Sequence, residues 1–290
     1  MNIQITKGYK SLDLNVFNFP GGEVGVKINT NDLNYKSIKS DYQTIIARIQ
    51  NSNDIMALIM IKDALERFDK TPIRLFLPYM PYGRQDRPCV NGESFSLKVF
   101  ANLINSLKFL EVITLDPHSN VMEGVFDNLR VISQLDIINN YFEEFRLKIL
   151  REYSKTKCYF VSPDAGANKK TAEIAKYFNH DSFIRADKLR NLNGGDIKET
   201  IVYADDLSGC TTVICDDLCD GSASFTNLAK VLKAKNASKV ILYITHAIFS
   251  KGVDIIFNSG IDKIYCTNSY KKELDERVNV LKIDNIIENV

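Results

Sequence analysis

Four short clusters in this 290-residue chain carry residue types suited to chemistry. The first is Tyr82-Gly83-Arg84-Gln85-Asp86-Arg87, with two arginines three apart behind a glycine. Guanidinium groups bind phosphate oxygens in a planar fork, so the string suits a phosphate clamp; taken alone it better suits a solvated loop. The second, Asp116-Pro117-His118, offers an imidazole that can ligate a metal, touch a phosphate or serve the structure alone. The third, Ser162-Pro163-Asp164-Ala165-Gly166, sets an aspartate at a helix start, as a cap or as a magnesium ligand through water. The fourth runs Asp216-Asp217-Leu218-Cys219-Asp220-Gly221-Ser222-Ala223-Ser224. Its acids can receive ribose hydroxyls and hydrated magnesium. Its small residues let backbone N–H groups approach a phosphate at a helix N-terminus. A capped turn is the plain alternative.

The elements that must position these clusters are visible as short apolar runs alternating with helical patterns. Residues 73–78, 112–115, 158–161, 212–215, 240–244 and 264–267 read as buried strands. Leu97, Phe100, Leu103, Ile104 and Leu107 fall at helical spacing, as do Phe225, Leu228, Ala229 and Leu232, and residues 167–178 read as another helix. Strands alternating with helices predict an α/β fold of mainly parallel sheets flanked by helices. Each cluster follows a predicted strand, and ligands in open α/β sheets bind outside the carboxyl ends of strands. The charge-rich stretch 139–157 reads as a helix and linker, which divides the chain into α/β halves at 1–145 and 146–290. Residues 191–196 carry a clear loop signal.

Bulk properties bound the rest. The length suits two domains, and 45% hydrophobic with 25% charged residues is the balance of a folded globular chain. A formal net charge of +1 gives no electrostatic reason to expect a nucleic-acid partner, so an anionic substrate must be held by local charge. No apolar run approaches the roughly 18 residues of a membrane span, and the first ten residues lack an apolar signal region. A cytoplasmic location without membrane contact is expected. The six cysteines form no CxxC pair and have no histidine placed to complete a zinc set, so they read as reduced thiols, mostly in the core.

In their shared order along the chain, these clusters resemble the ribose-phosphate pyrophosphokinases. Gly22-Glu23-Val24 is similar to an early segment of that family, and residues 82–87 to its Y-x-RQDR motif. Residues 96–103 and 112–118 resemble the following helix and the strand ending in D-x-H. Residues 161–166 match its VSPDAG segment, and Thr245-His246-Ala247-Ile248-Phe249-Ser250 resembles its THGIFS segment. The resemblance implies two phosphoribosyltransferase-like domains in a homo-oligomer, dimer to hexamer. It also implies transfer of the β,γ-diphosphoryl group of MgATP to the anomeric hydroxyl of ribose 5-phosphate.

By carry-over, Phe19 and Glu23 belong to an adenine pocket contributed by a neighbouring subunit, and Arg84, Gln85, Asp86 and Arg87 hold ATP. His118 and Asp164 sit at magnesium. Lys188 and Arg190 fall in a mobile catalytic loop, with His118 also in the catalytic set. Asp216, Asp217, Asp220, Gly221, Ser222, Ala223 and Ser224 hold the sugar phosphate. Where the family loop reads D-T-x-G-T, this chain has Asp220-Gly221-Ser222-Ala223-Ser224. Ser222 and Ser224 keep hydroxyls able to donate, and Ala223 tolerates a positive φ less well than glycine. The same chemistry on an extended acceptor such as ADP-ribose, and a catalytically silent regulatory homologue, are the alternatives the residues leave open.

Overall fold

A computed structural model describes residues 3–180, 182–190 and 197–287. The chain forms two compact units, one of Met1–Ser133 with Ser269–Lys272 and one of Gln134–Asn268 with Glu273–Val290.

The first unit contains β1 (Ile3–Lys7), β2 (Lys10–Leu12), β3 (Leu14–Asn18), β4 (Val24–Ile28), α1 (Leu33–Ser37), β5 (Gln43–Ala47), α2 (Ser52–Phe68), β6 (Ile73–Leu77), α3 (Ser96–Ser106), β7 (Glu111–Leu115), α4 (Val121–Val125) and β8 (Leu129–Ile132). Among the described residues its main sheet has the order β2-β1-β5-β6-β7-β8, and β3 and β4 form a separate hairpin. β5 to β8 run parallel, while β1 is antiparallel to β5. The parallel strands are apolar because helices cover them; Ile45, Leu75, Leu77 and Leu115 are fully buried. α2 starts cleanly, since Asn51 and Asp54 form a reciprocal capping box. α3 buries Leu97, Phe100 and Ile104, but Leu103 is 36% exposed. At about 100° per residue Leu103 lies well to one side of the stripe formed by the other three, so it falls outside the predicted core face.

The second unit contains α5 (Gln134–Asn140), α6 (Glu143–Tyr153), β9 (Cys158–Ser162), α7 (Asn168–Tyr177), β10 (Ile184–Arg190), β11 (Ile197–Val202), β12 (Thr211–Cys219), α8 (Ala223–Ala234), β13 (Lys239–Ala247), α9 (Asp254–Phe257), β14 (Lys263–Thr267), β15 (Asn279–Leu281) and α10 (Asp284–Ile287). Among the described residues its sheet has the order β11-β10-β9-β12-β13-β14-β15. All neighbours are parallel except β10 and β11. The strands expected here are present. β12 is longer than its apolar run, however, because pairing with β13 carries it through Asp216 to Cys219.

The stretch expected to link two halves is α5 and α6, and a boundary after residue 145 falls inside α6. Phe142 and Phe145 are buried, and the Phe145 ring lies 4.8 Å from that of Tyr243 and 5.1 Å from that of Tyr265. The charges that suggested a linker lie mostly on the outer face. The exception is Glu152, 6% exposed, which accepts from Lys148 at 2.9 Å and from Lys239 at 2.9 Å. Five of the cysteines are buried, and Cys89 is exposed. Among the described residues no helix is long and apolar enough to cross a membrane.

Candidate active site

In the first unit the arginine cluster follows β6. Tyr82 turns the chain with φ 60°, and its ring packs on Phe100 at 5.5 Å. Gly83 precedes the two arginines. Its φ is ordinary for any residue; what it supplies is room, because a Cβ there would lie 2.6 Å from Met122 Cε and 3.1 Å from the Met80 carbonyl. The loop is thus pressed onto the core. Gln85 is half-buried, accepts from the Ser96 hydroxyl and offers its carbonyl to Leu97 N–H at 3.2 Å, which ties the loop to the start of α3. Arg84 and Arg87 stay exposed, and Asp86 lies 3.7 Å from the Arg87 Nε. The arrangement puts the guanidinium groups outward on a fixed base, as phosphate binding requires.

β7, the neighbour of β6, ends at Leu115. Asp116 is buried with φ 35°, and its N–H donates to the Ile132 carbonyl at 2.8 Å. This turn delivers His118 to an exposed position. Phe19 and Glu23 stand at the ends of the β3–β4 turn, where Phe19 N–H donates to the Glu23 carbonyl at 2.8 Å and Gly22 takes φ 96°. The Phe17 and Phe19 rings meet edge to face at 5.2 Å and lie across Gly25, where a Cβ would come within 2.5 Å of the Phe17 ring.

In the second unit Asp164 is the cap that one of its two readings gave, and its second oxygen takes a lysine. Its Oδ1 accepts the Ala167 N–H at 3.1 Å, capping the 3-10 turn Ala165–Ala167, while its Oδ2 accepts from Lys188 Nζ at 2.8 Å. Burial pushes this carboxyl up, but the Lys188 ammonium and the N–H groups of Ala167 and Gly166 outweigh it and hold the group below its usual 3.8. Lys188 and Arg190 were expected in a loop. They lie instead in β10, which pairs with β11 as a ribbon: Lys188 faces Thr200, and the register shifts between Leu189 and Arg190. The expected loop at 191–196 lies outside the described residues.

Asp216 and Asp217, expected after the strand, sit within β12. Asp217 N–H donates to Asp216 Oδ1 at 2.9 Å. Burial, and then the neighbouring Asp217, push the Asp216 carboxyl well above its usual range; Lys170 pulls the other way, and Asp164 adds to the rise. Asp217, Lys170 and Asp164 thus act electrostatically on Asp216, and Lys188 on Asp164, near the carboxyl ends of adjacent strands β9 and β12.

The chain then turns through Asp220 and Gly221 into α8. The strained position is Ser222, with φ 66°, and not Ala223, which begins the helix; the concern that alanine meets a positive φ does not apply. Nor does the Ser222 hydroxyl face outward as expected. Ser222 is 5% exposed, and its Oγ donates to the Asp220 carbonyl at 3.3 Å beside Cys219 Sγ at 3.4 Å. Ala223 is exposed and Ser224 half-buried. No side chain caps α8 at Ser222. Backbone N–H groups, rather than the Ser222 hydroxyl, are what this turn presents.

Among the described residues, seven non-glycine positions have positive φ. Lys108, Asn179 and Asn236 each follow a helix C-cap, the usual place for a left-handed residue. Tyr82, Asp116, Ser222 and Phe249 instead fall where a strand gives way to a site loop. Strain of about 1 kcal/mol per non-glycine residue in this region is retained where surrounding structure fixes it, and it clusters at functional turns. At Phe249 the anchor is visible: Ile248 and Phe249 N–H both donate to the Cys219 carbonyl at 3.0 Å.

Sequence reasoning missed Lys170, Lys251 and Gln134. Lys170 stands near the start of α7, one turn beyond the Asp164 cap, and that spacing was the available signal. Lys251 Cε lies 3.9 Å from where a Gly221 Cβ would be. Gln134 Nε2 donates to the Asp216 carbonyl at 2.6 Å and to Thr245 Oγ1 at 3.0 Å; nothing in its local sequence marks it.

Comparison with known proteins fits this layout. Residues 2–107 match the N-terminal domain of ribose phosphate pyrophosphokinase, and residues 180–288 match the phosphoribosyl synthetase-associated domain. A ribose-phosphate pyrophosphokinase of Thermosipho africanus is 30% identical over 281 residues, covering 95% of this chain and 84% of the relative. The chain belongs to the ribose-phosphate pyrophosphokinase family. Another member of the family, from Marinomonas sp., is 31% identical over 255 residues, 87% of this chain and 76% of that one. The crystal structure of phosphoribosylpyrophosphate synthetase from Mycobacterium smegmatis superposes with a TM-score of 0.76 at 21% identity, covering 96% of this chain and 88% of that one, so the fold is that of a ribose-phosphate pyrophosphokinase throughout.

Proposed function

We propose that this chain transfers the β,γ-diphosphoryl group of ATP to the anomeric hydroxyl of ribose 5-phosphate. The sugar oxygen bonds to the β-phosphorus, the bond from that phosphorus to the α,β-bridging oxygen breaks, and AMP leaves with that oxygen. The hydroxyl proton passes to solvent. The observation that carries this reading is family membership along nearly the whole chain, with the motif residues at the carboxyl ends of strands in both units.

The roles proposed for single residues rest on the family resemblance, and the geometry of each unit suits them. Arg84, Gln85, Asp86 and Arg87 hold the ATP phosphates, the arginines from an exposed, core-anchored loop. Phe19 and Glu23 contribute to the adenine pocket of a second copy; the outward Phe17–Phe19 pair, 38% and 52% exposed, supports such an assembly. Asp216, Asp217 and Asp220 receive the ribose hydroxyls. Gly221 to Ser224 present backbone N–H groups to the 5-phosphate at the start of α8, with Lys251 close by. Lys188 and Arg190 stabilise charge on the transferring group.

Magnesium is the cofactor this chemistry asks for, and the donors suit it. In the second unit Asp164 offers a carboxylate oxygen, the donor this hard cation prefers; in the first unit His118 offers an imidazole nitrogen, a weaker donor for it. Magnesium keeps several waters and binds through one or two carboxylates together with substrate phosphates. A dedicated cage is therefore not required, and among the described residues no group of three or more histidine, cysteine or acidic side chains gathers to form one. Asp164 already seats a cation, the Lys188 ammonium. When bound, magnesium supplies charge neutralisation of the triphosphate; the protein supplies position. The test is incubation with MgATP and ribose 5-phosphate, with chromatography of the nucleotide. AMP is expected, and ADP as the sole product would sink the mechanism.

A further inference from the structure

Asp164 and Lys188 are engaged with each other at 2.8 Å, although the reading above needs the first at a metal and the second at the transferring phosphate. The two Asp164 oxygens are held differently. Oδ1 accepts the Ala167 backbone N–H and is fixed by the turn; Oδ2 accepts a side chain that can move. Lys188 is 8% exposed as a side chain and Asp164 is 40% exposed, so the carboxylate is reachable while the ammonium is stowed against it.

The backbone explains why the lysine lies there. β10 pairs with β9 at Ile184↔Val161 and Arg185↔Ser162, and the parallel register stops at that point. Beyond it the strand continues against β11 alone, with Lys188 opposite Thr200. Strand alternation sets the faces: Ala186 and Lys188 turn inward, while Asp187 accepts the Tyr203 hydroxyl at 2.8 Å and Leu189 is 46% exposed. Lys188 is thus carried by an arm that has left the parallel sheet and reaches back to the turn following β9.

We propose that Lys188 and a divalent cation compete for Asp164 Oδ2, so that cation binding releases the lysine towards the phosphates. Two cations cannot share one carboxylate oxygen at close range without mutual repulsion, and a divalent ion binds an anionic oxygen more strongly than an ammonium does. The contact is therefore a latch. Without the cation, the ammonium stays buried and is withheld from stray anions. With it, the lysine is free at the moment the phosphates arrive. This inference rests on the diphosphoryl-transfer reading for the roles of the two residues, but it is tested without turnover.

The experiment uses the full chain and Mn2+ alone as the probe. Lys188 acylation by an amine-reactive ester, read by peptide mass spectrometry, should rise about threefold or more on adding Mn2+ without nucleotide, since the stowed population is shifted by differential affinity. Calorimetry should show Lys188→Gln binding Mn2+ about threefold or more tighter than wild type, because the competitor is gone. In Asp164→Asn, Lys188 should label quickly whether or not Mn2+ is present. Labelling unmoved by saturating Mn2+, a Lys188→Gln variant that binds Mn2+ no better, or no Mn2+ binding to either protein would overturn the latch. AMP formation from ATP and ribose 5-phosphate with a negative result here removes only the latch; a positive result here without AMP removes only the proposed reaction.

Discussion

The Ser222 hydroxyl is turned back onto the Asp220 carbonyl, 3.3 Å away, while its own backbone holds φ 66° at the head of α8. The residue therefore shapes the turn from inside. Ser222→Ala should raise the KM for ribose 5-phosphate by less than about threefold, while lowering stability by about 1 kcal/mol for the lost internal hydrogen bond. Ser222→Val adds a β-branched side chain at a left-handed position, and should cost stability and ribose 5-phosphate affinity together. Steady-state kinetics and urea unfolding on the two variants check this. A tenfold KM rise in the alanine variant with unchanged stability would place the hydroxyl on the ligand.

Lys188→Ala should lower kcat by about 10²-fold or more with little change in the KM for ATP, as for a charge that acts mainly in the transition state. Initial rates over a range of ATP concentrations separate the two parameters. An unchanged kcat would show that diphosphoryl transfer runs without this ammonium.

Gly83→Ala should press a methyl group into Met122 and the Met80 carbonyl. The expected cost is about 1–3 kcal/mol of overpacking, together with a higher KM for ATP as the arginine loop shifts. Shortening Met122 removes the nearer contact. The double variant Gly83→Ala, Met122→Ala should then be less destabilised than the sum of its parts, which a double-mutant cycle measures. Strict additivity would mean that the two groups never touch.

Glu152 gives a pH signature. Burial raises its carboxyl, but Lys148 and Lys239 overcome this and hold it at about 2, against an ordinary 4.5. A depressed folded-state value means that the stabilisation is complete above pH 4.5 and is lost as pH falls through 2. Glu152→Gln should cost roughly 1–2 kcal/mol at neutral pH, after discounting for solvent screening of the lysines, and should approach wild type near the acid limit. Urea midpoints of the two proteins across this range are the measurement. Parallel curves would show that the triad contributes nothing.

The parallel strands were legible because burial on both faces makes them near-continuous apolar runs, unbroken in 240–244 and interrupted in 73–77 by Arg74 alone. What lay outside that signature was harder to see. The β3–β4 hairpin alternates through Leu14, Val16, Val24, Val26 and Ile28, which pack on the core, but each strand has only five residues and gives a short signal. β11 is held mainly by pairing with β10, and of its residues only Val202 is seen to be buried. At Asp216 the apolar run ends but the hydrogen-bond ladder to β13 does not, so the acids were placed one element too late. The motif residues could be chosen from types and order. Whether Ser222 faces in or out depends on a single backbone dihedral, which residue type alone does not encode.

The return of residues 269–272 to the first unit has a consequence for how the molecule is made. Gln50 Nε2 donates to the Tyr270 carbonyl at 2.8 Å, and the Tyr79 and Tyr270 rings meet edge to face at 5.4 Å. During synthesis, residues 1–133 leave the ribosome long before Tyr270 exists. The nascent first unit must wait for the Tyr270 contacts of Tyr79 and Gln50 until residues 134–268 have been translated. Its final contacts therefore form late, in the order of assembly rather than the order of sequence.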